Sequence, residues 1–219
     1  MKLTAQYDCI IFDCDGVIFD SNRPKVAAMR SVLEECGYSQ TEVSNCIDFF
    51  QNNFGTPRQV QIDNFFDRFI GDMPQHENQR KAEVFEKYST ACHGIFEQAE
   101  LSPGIIDLLT AFSGDKYVAS GSVQTELRKI IRARNLDHYF KGVYGSPTAK
   151  AEIVASILRD TPYQKSVLIG DARADYEAAT ANTIDFIYFK PFSMVQESMM
   201  QLAEQEKFQV IDDFRALLD

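Results

Sequence analysis

Short apolar segments alternate with helical patterns along most of this 219-residue chain, and the alternation restricts the fold more than any other feature. Strand, helix and strand in repeated order predict a parallel sheet, because a helical crossover lets consecutive strands run in the same direction. Helices should cover both faces of the sheet, which makes the expected fold class α/β with a doubly wound parallel sheet. The predicted strands are Tyr7–Asp13, Lys116–Ser120, Gly142–Tyr144, Ser166–Asp171, Ile184–Phe189 and Phe208–Ile211.

One long segment interrupts the alternation, because residues 23–101 contain helical patterns and no convincing strand. Glycine and proline separate the predicted helices of this segment, which are Pro24–Glu35, Glu42–Asn52, Pro57–Ile70 and His76–Glu97. The other predicted helices are Gly104–Phe112, Gln124–Arg134, Ala149–Arg159, Tyr176–Asn182 and Ser193–Glu206. We therefore expect a catalytic core of residues 1–20 and 102–219, with an all-helical cap of residues 21–101 inserted after the first strand.

Composition and charge argue against several classes of function. The net charge of −10 is unfavourable for a nucleic-acid partner, because binding to phosphate backbones depends on clustered lysine and arginine. The sequence contains no apolar run of 18 residues and begins without a signal-peptide pattern. Its five cysteines have no CxxC spacing, which is typical of reduced thiols. We predict a cytoplasmic protein without membrane association.

The first predicted strand ends in two aspartates, Asp13 and Asp15, followed by Gly16. Alternation along a strand directs both carboxylates to the same side of the chain. Two like charges at such short separation require a cation or a shared proton. Mg²⁺, which binds one or two carboxylates together with substrate phosphate, is the usual cation. The motif therefore predicts phosphate chemistry at the end of this strand.

Further polar residues end other predicted strands. Ser120 and Gly121 lie between a strand and a helix, where a hydroxyl and free backbone N–H groups can bind phosphate. A later strand ends at Asp171, with Asp175 four residues beyond it, and Lys150 precedes that strand at the start of a helix. Ligands of parallel α/β sheets bind at the carboxyl ends of the strands, so we expect these residues to converge with the aspartate pair.

This ordered set of motifs resembles the haloacid dehalogenase superfamily. DxDG after an apolar strand, a strand-terminal serine, a lysine before a helix and GDxxxD after a later strand occur in the expected order over essentially the whole chain. The inserted helices are similar to the cap of the subgroup that includes phosphoglycolate phosphatase and β-phosphoglucomutase. The resemblance implies a Rossmann-like core with a helical cap domain.

The resemblance also implies the role of each matched residue. Asp13 would be the nucleophile that forms an aspartyl-phosphate, and Asp15 would be the general acid and then the general base. Dehalogenases of the superfamily lack an acid at the second position, so Asp15 favours phosphate esters as substrates. The Mg²⁺ ligands would be Asp13, Asp15 through its backbone carbonyl, Asp171 and Asp175, and the phosphate ligands would be Ser120, Gly121 and Lys150.

The cap would select the substrate, and its candidate residues are Ser21, Asn22, Arg23, Lys25, Asn53, Phe54, Gly55 and Arg58. Among these we predict substrate contacts for Asn22, Arg23 and Arg58, of which Arg58 would bind a second anionic group or a sugar hydroxyl.

The predicted function is a Mg²⁺-dependent phosphatase acting on a small phosphorylated metabolite such as a sugar phosphate. One alternative is a phosphomutase, although Lys25 occupies the position where resembling mutases carry a histidine. Another is a non-catalytic phospho-receiver module, whose motifs follow a different order and which lacks a helical insertion. The sequence leaves the oligomeric state open.

Overall fold

The computed structural model describes residues 6–71, 74–160 and 163–218, without the side chain of Pro74. The predicted doubly wound α/β fold is confirmed, since six parallel strands form one sheet in the order β3-β2-β1-β4-β5-β6. The strands are β1 (Cys9–Phe12), β2 (Asp115–Val123), β3 (Gly142–Ser146), β4 (Ser166–Gly170), β5 (Asp185–Phe189) and β6 (Gln209–Ile211).

Helices follow the strands and fill the insertion between β1 and β2. The insertion contains α1 (Asn22–Glu35), α2 (Gln40–Asn52), α3 (Arg58–Arg68) and α4 (Pro74–Gln98). The remaining helices are α5 (Ile105–Ala111), α6 (Gln124–Ala133), α7 (Lys150–Asp160), α8 (Arg173–Ala181) and α9 (Gln196–Glu206). Among the residues described, no helix is both long and apolar enough to cross a bilayer.

The central strand β1 is fully buried because it lies between β2 and β4 and has helices on both faces. Ile10 and Phe12 belong to the apolar cluster on one face of the sheet, and Cys9 and Ile11 belong to the cluster on the other. In this register β1 and β4 end almost level with each other, whereas β2 continues past them to Val123, so Ser120 lies within β2 and does not end it as predicted. This register places the residues that follow β1 and β4, together with Ser120, at one edge of the sheet.

The helices of the insertion pack around an apolar cluster of their own, which includes Met29, Ile47 and Phe65. The chain enters and leaves this region through two adjacent segments. The backbone N–H of Asp20 donates to Glu100 at 2.9 Å, and that of Ser102 donates to the carbonyl of Ile18 at 3.0 Å. The division into core and cap domains stays a prediction, and these paired segments lie where it places the boundaries.

Four helices, which are α1, α2, α4 and α8, begin two or three residues earlier than the apolar pattern predicts, and local features account for two of them. Helix α1 begins at Asn22, because Pro24 lies in the first turn, where a missing N–H group breaks no helical hydrogen bond. Helix α8 begins at Arg173, because the Asp175 carboxylate accepts hydrogen bonds from the N–H groups of Asp171 and Ala172 at 3.1 and 3.0 Å. The GDxxxD motif therefore forms the start of this helix as well as the end of the strand.

Candidate active site

Three predicted metal ligands meet at the edge of the sheet. Asp13 follows β1, Asp171 follows β4 and Asp175 lies in the first turn of α8. One carboxylate oxygen from each residue lies within 4.8 Å of the others, and all three residues are buried. The carboxylate of Asp15 does not belong to this group of three. The prediction for Asp15 concerned its backbone carbonyl and not its side chain.

Lys150 is the cation at this acidic cluster. Its Nζ lies 2.9 Å from Asp13 Oδ1 and also contacts the Asp175 carboxylate. Burial raises the pKa of Asp13 to about 7; Lys150 opposes this effect, and the charges of Asp175 and Asp15 increase it. Burial also raises the pKa of Asp171 well above its ordinary value, with further increases from Asp175 and Asp13. If all three carboxylates were ionised, Lys150 would balance only one of their charges, which is why these pKa values rise, and a divalent cation would offset the remaining negative charge.

The chemistry of these donors fits a magnesium ion. Asp171 Oδ1 is buried without a hydrogen-bond partner, which is costly for a carboxylate unless another ligand binds it. The donors are hard carboxylate oxygens, the type that Mg²⁺ prefers over nitrogen or sulfur. The cluster could therefore hold a hard divalent cation.

Neighbouring residues orient the Asp171 carboxylate and backbone. Asn22 Nδ2 donates to Asp171 Oδ2 at 2.7 Å, and Ser193 Oγ donates to the Asp171 carbonyl at 2.6 Å. Gly16 has a φ of 73°, and a Cβ atom at this position would lie 2.5 Å from Asp171 Oδ2. The glycine of the DxDG motif is thus required for a left-handed backbone and for the close approach of Asp171. The structure places Asn22 beside the acidic cluster.

Asp15 is held by three donors away from the acidic cluster. Ser21 Oγ and Lys25 Nζ both lie 2.6 Å from Oδ1, and Ser122 Oγ donates to Oδ2 at 2.8 Å. Burial acts to raise the pKa of Asp15, but Lys25 and the two hydroxyls together hold it below its ordinary value. Burial acts to lower the pKa of Lys25, and Asp15 raises it above the ordinary value. Both shifts favour the ionised forms of the two side chains.

The predicted phosphate-binding residues lie beside Asp13 and Asp15. Ser120 is buried and its hydroxyl accepts a hydrogen bond from the Ser122 N–H at 3.0 Å. A Cβ atom at Gly121 would lie 2.5 Å from the carbonyl oxygen of Gly55, so only glycine permits the insertion to approach this closely. Lys150 reaches the same region through its contact with Asp13.

A small cavity separates the sheet edge from the insertion and has a volume of about 40 Å³. Asp13, Asp15 and residues 120–122 line its sheet side. The insertion contributes Lys25, Phe50, Phe54, Gly55, Thr56, Arg58, Gln61 and Tyr88. The cavity has room for roughly three water molecules, so a whole substrate can be accommodated only if the insertion moves.

The predicted cap residues Arg58 and Arg23 lie in different environments. Arg58 lines the cavity and makes a bidentate ion pair with Glu126 of α6, with contacts of 3.0 and 3.3 Å. Its guanidinium group also donates to Ser89 and lies over the Tyr88 ring at 5.2 Å. Arg23 is exposed on the first turn of α1 and is absent from the cavity lining.

Sequence reasoning missed Glu126 and Gln61 and did not identify Ser122 as a donor to Asp15. Glu126 lies 68 residues from its partner Arg58, so no local spacing indicates the contact. Gln61 is a polar residue on an amphipathic helix, and only its burial distinguishes it from a solvent-exposed glutamine. The sequence did contain an indication for Ser122, because this residue lies two positions after Ser120 in the segment that was predicted to bind phosphate.

Curated sequences and solved structures resemble this chain over most of its length. The tyrosine-protein kinase PtkA of Mycobacterium tuberculosis, like that of Mycobacterium bovis, is 25% identical over 187 residues, which cover 81% of this chain and 60% of the relative. The chain therefore spans less than two thirds of the length of these curated relatives.

Structural neighbours share the fold at lower identity. A predicted phosphatase from Clostridium acetobutylicum has a TM-score of 0.75 at 16% identity, with 97% of this chain and 96% of that chain covered. CbbY from Rhodobacter sphaeroides, in complex with a xylulose bisphosphate, has a TM-score of 0.74 at 18% identity, with 97% and 99% covered. A predicted phosphoglycolate phosphatase from Haemophilus somnus also has a TM-score of 0.74 at 18% identity, with 95% of each chain covered.

A sequence model described as haloacid dehalogenase-like hydrolase matches residues 10–189. This match begins in β1 and ends with β5, and it includes the insertion, the acidic cluster, Ser120 and Lys150. It agrees with the resemblance that the ordered motifs indicated. Because the match covers most of the sequence and every element that forms the candidate site, this chain belongs to the haloacid dehalogenase-like hydrolase family.

Proposed function

We propose that this protein is a Mg²⁺-dependent phosphatase that hydrolyses a small phosphorylated metabolite through an aspartyl-phosphate on Asp13. The observation that carries the proposal is the buried group of Asp13, Asp171 and Asp175 in contact with Lys150. This group has the donors for a divalent cation, and Asp13 has a carboxylate at the cavity wall. Membership of a hydrolase family supports transfer of the phosphoryl group to water.

The side chains that would hold the metal are those of Asp13, Asp171 and Asp175, together with the backbone carbonyl of Asp15. When bound, Mg²⁺ supplies positive charge that neutralises the phosphoryl oxygens and the crowded carboxylates. The hydroxyl of Ser120 and the N–H of Gly121 would bind the same oxygens from the opposite side. These contacts act mainly through position and charge, which is what phosphoryl transfer requires.

In the first step a carboxylate oxygen of Asp13 attacks phosphorus, and the ester oxygen leaves with a proton from Asp15. In the second step Asp15 removes a proton from water, which attacks the aspartyl-phosphate and releases inorganic phosphate. The ion pair with Lys25 favours the ionised form of Asp15, which is the form needed for the second step. Asp15 must therefore take up a proton before it can serve the first step.

Substrate selection would depend on the helical insertion. Arg58 lines the cavity and is a proposed contact for the leaving group, whereas the hydrogen bond from Asn22 to Asp171 supports a positioning role at the metal site. Arg23 is exposed, so a substrate contact would require it to approach the cavity when the insertion moves. The small cavity is consistent with a gate that excludes bulk water during the reaction.

The test is a screen of phosphorylated metabolites and 4-nitrophenyl phosphate for release of inorganic phosphate, with Mg²⁺ or with EDTA. Asp13→Asn should abolish release while preserving the fold, and Asp48→Asn, which changes an exposed carboxylate on α2, should leave activity unchanged. Release without a bisphosphate requirement distinguishes a phosphatase from a phosphomutase. Activity in Asp13→Asn, activity in EDTA, or transfer from ATP to a tyrosine peptide in place of hydrolysis would contradict the proposal.

A further inference from the structure

Among the described residues, two cationic side chains line the cavity, Arg58 and Lys25, and each is already paired with a carboxylate. Arg58 is held by Glu126 through two contacts, by Ser89, and by the aromatic rings of α4, and its side chain is 5% exposed. Lys25 lies 2.6 Å from Asp15 Oδ1 and is equally buried. A second anionic group on the substrate would have to displace Glu126 or Asp15 to reach either cation. The described lining residues thus offer no uncommitted positive charge.

The same cavity is lined by Gln61, a buried glutamine whose amide orientation follows from its contacts. Gln61 Nε2 donates to the backbone carbonyls of Asn53 and Thr56 at 3.1 and 3.2 Å. Carbonyl oxygens accept hydrogen bonds only, so the amide nitrogen must face them and the amide oxygen must face away. Gln61 Oε1 is buried and has no hydrogen-bond partner.

A buried acceptor without a donor destabilises the protein, unless a molecule that enters the cavity satisfies it. A hydroxyl group can donate to Gln61 Oε1. A carboxylate or a second phosphate can only accept when ionised, and it would be repelled by this oxygen. The acceptor and the paired cations therefore favour the same type of ligand, one that is neutral and carries a hydroxyl.

We propose that Gln61 determines specificity by accepting a hydrogen bond from a hydroxyl group of an uncharged leaving group. This inference rests on the proposed phosphatase function and narrows its substrate to the phosphate ester of a small neutral alcohol with a further hydroxyl. Glu126 contributes by keeping Arg58 neutralised, so that substrates with a second negative charge are disfavoured.

The experiment compares four probes with the metal-loaded enzyme, which are 4-nitrophenyl phosphate, glycerol 1-phosphate, propyl phosphate and 2-phosphoglycolate. The first reports general phosphatase activity. Glycerol 1-phosphate and propyl phosphate differ only in hydroxyl groups, and 2-phosphoglycolate adds a carboxylate. We expect kcat/KM for glycerol 1-phosphate to exceed that for propyl phosphate by at least about tenfold, the loss typical when a site built for a hydroxyl is left unpaired. The value for 2-phosphoglycolate should be the lowest of the three alkyl probes.

Two variants separate this role from a structural one. Gln61→Met should reduce the ratio between glycerol 1-phosphate and propyl phosphate to about one, whereas Gln59→Met, on the exposed face of the same helix, should keep it. Glu126→Gln should raise kcat/KM for 2-phosphoglycolate relative to propyl phosphate by about tenfold, because it frees Arg58. Such a gain cannot result from partial unfolding.

The outcomes also separate this inference from the function on which it rests. Hydrolysis of 4-nitrophenyl phosphate together with no preference for the hydroxylated probe, an unchanged ratio in Gln61→Met, or a preference for 2-phosphoglycolate would overturn the role of Gln61 alone. The absence of phosphate release from all four probes would overturn the proposed phosphatase and this inference together.

Discussion

Replacing Lys25 with methionine tests how strongly the protein depends on pairing the buried charge of Asp15. Methionine has a similar length and can retain the packing of the lysine stem near Phe96, whose ring centroid lies 4.2 Å from Nζ. The substitution removes the 2.6 Å ion pair with Asp15 and the 3.0 Å hydrogen bond to Ser122. Asp15 keeps the hydroxyl donors and remains buried.

The expected loss of stability follows from the burial of the pair. Removing one partner of a buried ion pair costs about 3–5 kcal/mol, because the remaining charge is left uncompensated. The hydroxyls of Ser21 and Ser122 still solvate the Asp15 carboxylate, which places the expected loss near the lower limit, at about 3 kcal/mol at neutral pH. Urea unfolding in EDTA measures this difference as a shift of the midpoint at constant slope.

The pH dependence gives a second and sharper signature. In the wild-type protein the pKa of Asp15 lies below its ordinary value, so the contribution of this residue to stability is present above that value and is lost as the pH falls. In Lys25→Met, burial without the lysine should raise the pKa of Asp15 above its ordinary value. In this variant the stability that Asp15 contributes is present below the ordinary pKa of aspartate, and it is lost as the pH rises through the raised pKa. The stability gap between the two proteins should therefore be smaller at pH 5 than at pH 7.5.

Two controls distinguish the charge effect from a packing effect. In an Asp15→Asn background the same substitution should cost nothing or raise stability, because it removes a buried lysine that has already lost its charged partner. Lys129→Met, at an exposed position on α6, should change stability by about 0.5 kcal/mol or less. An equal loss at both pH values, or an equal loss in both backgrounds, would refute the reasoning.

The remaining predictions concern the acidic cluster, the contact at Gly121 and the cysteines. Asp171→Asn should abolish phosphatase activity and raise metal-free stability at pH 8 by about 1 kcal/mol in urea unfolding, since it removes a carboxylate whose ionisation burial and its neighbours oppose; lower stability would contradict the crowding of the three carboxylates. Gly121→Ala should reduce kcat at least tenfold and lower the unfolding midpoint, because its Cβ would clash with the Gly55 carbonyl, and wild-type kcat would argue against that closure. All five cysteines are buried free thiols, so a thiol reagent should label the native protein slowly and find five thiols in denaturant; rapid native labelling would contradict this burial.

The order of strands and helices could be predicted from the sequence because it depends on local apolar periodicity. Asp13 and Asp171 were identifiable as site candidates for a related reason. Each directly follows an apolar strand, and parallel strands in register bring their carboxyl ends to one edge. Lys150 and Ser120 were predicted as site residues from the order of the motifs, because neither residue is distinctive alone.

The tertiary structure alone decided which side chains pair across the insertion and the sheet. The sequence shows Lys25, Arg58 and Gln61 as polar residues on amphipathic helices, and all three patterns are equally compatible with exposure to solvent. Their burial, and the pairing of Arg58 with Glu126, depend on how α1 and α3 sit against the sheet edge. Local periodicity carries no information about that placement, because it results from packing between segments that are distant in the chain. The sequence by itself therefore determined the α/β pattern and the acidic motifs, and the packing of the insertion decided how each charge is neutralised.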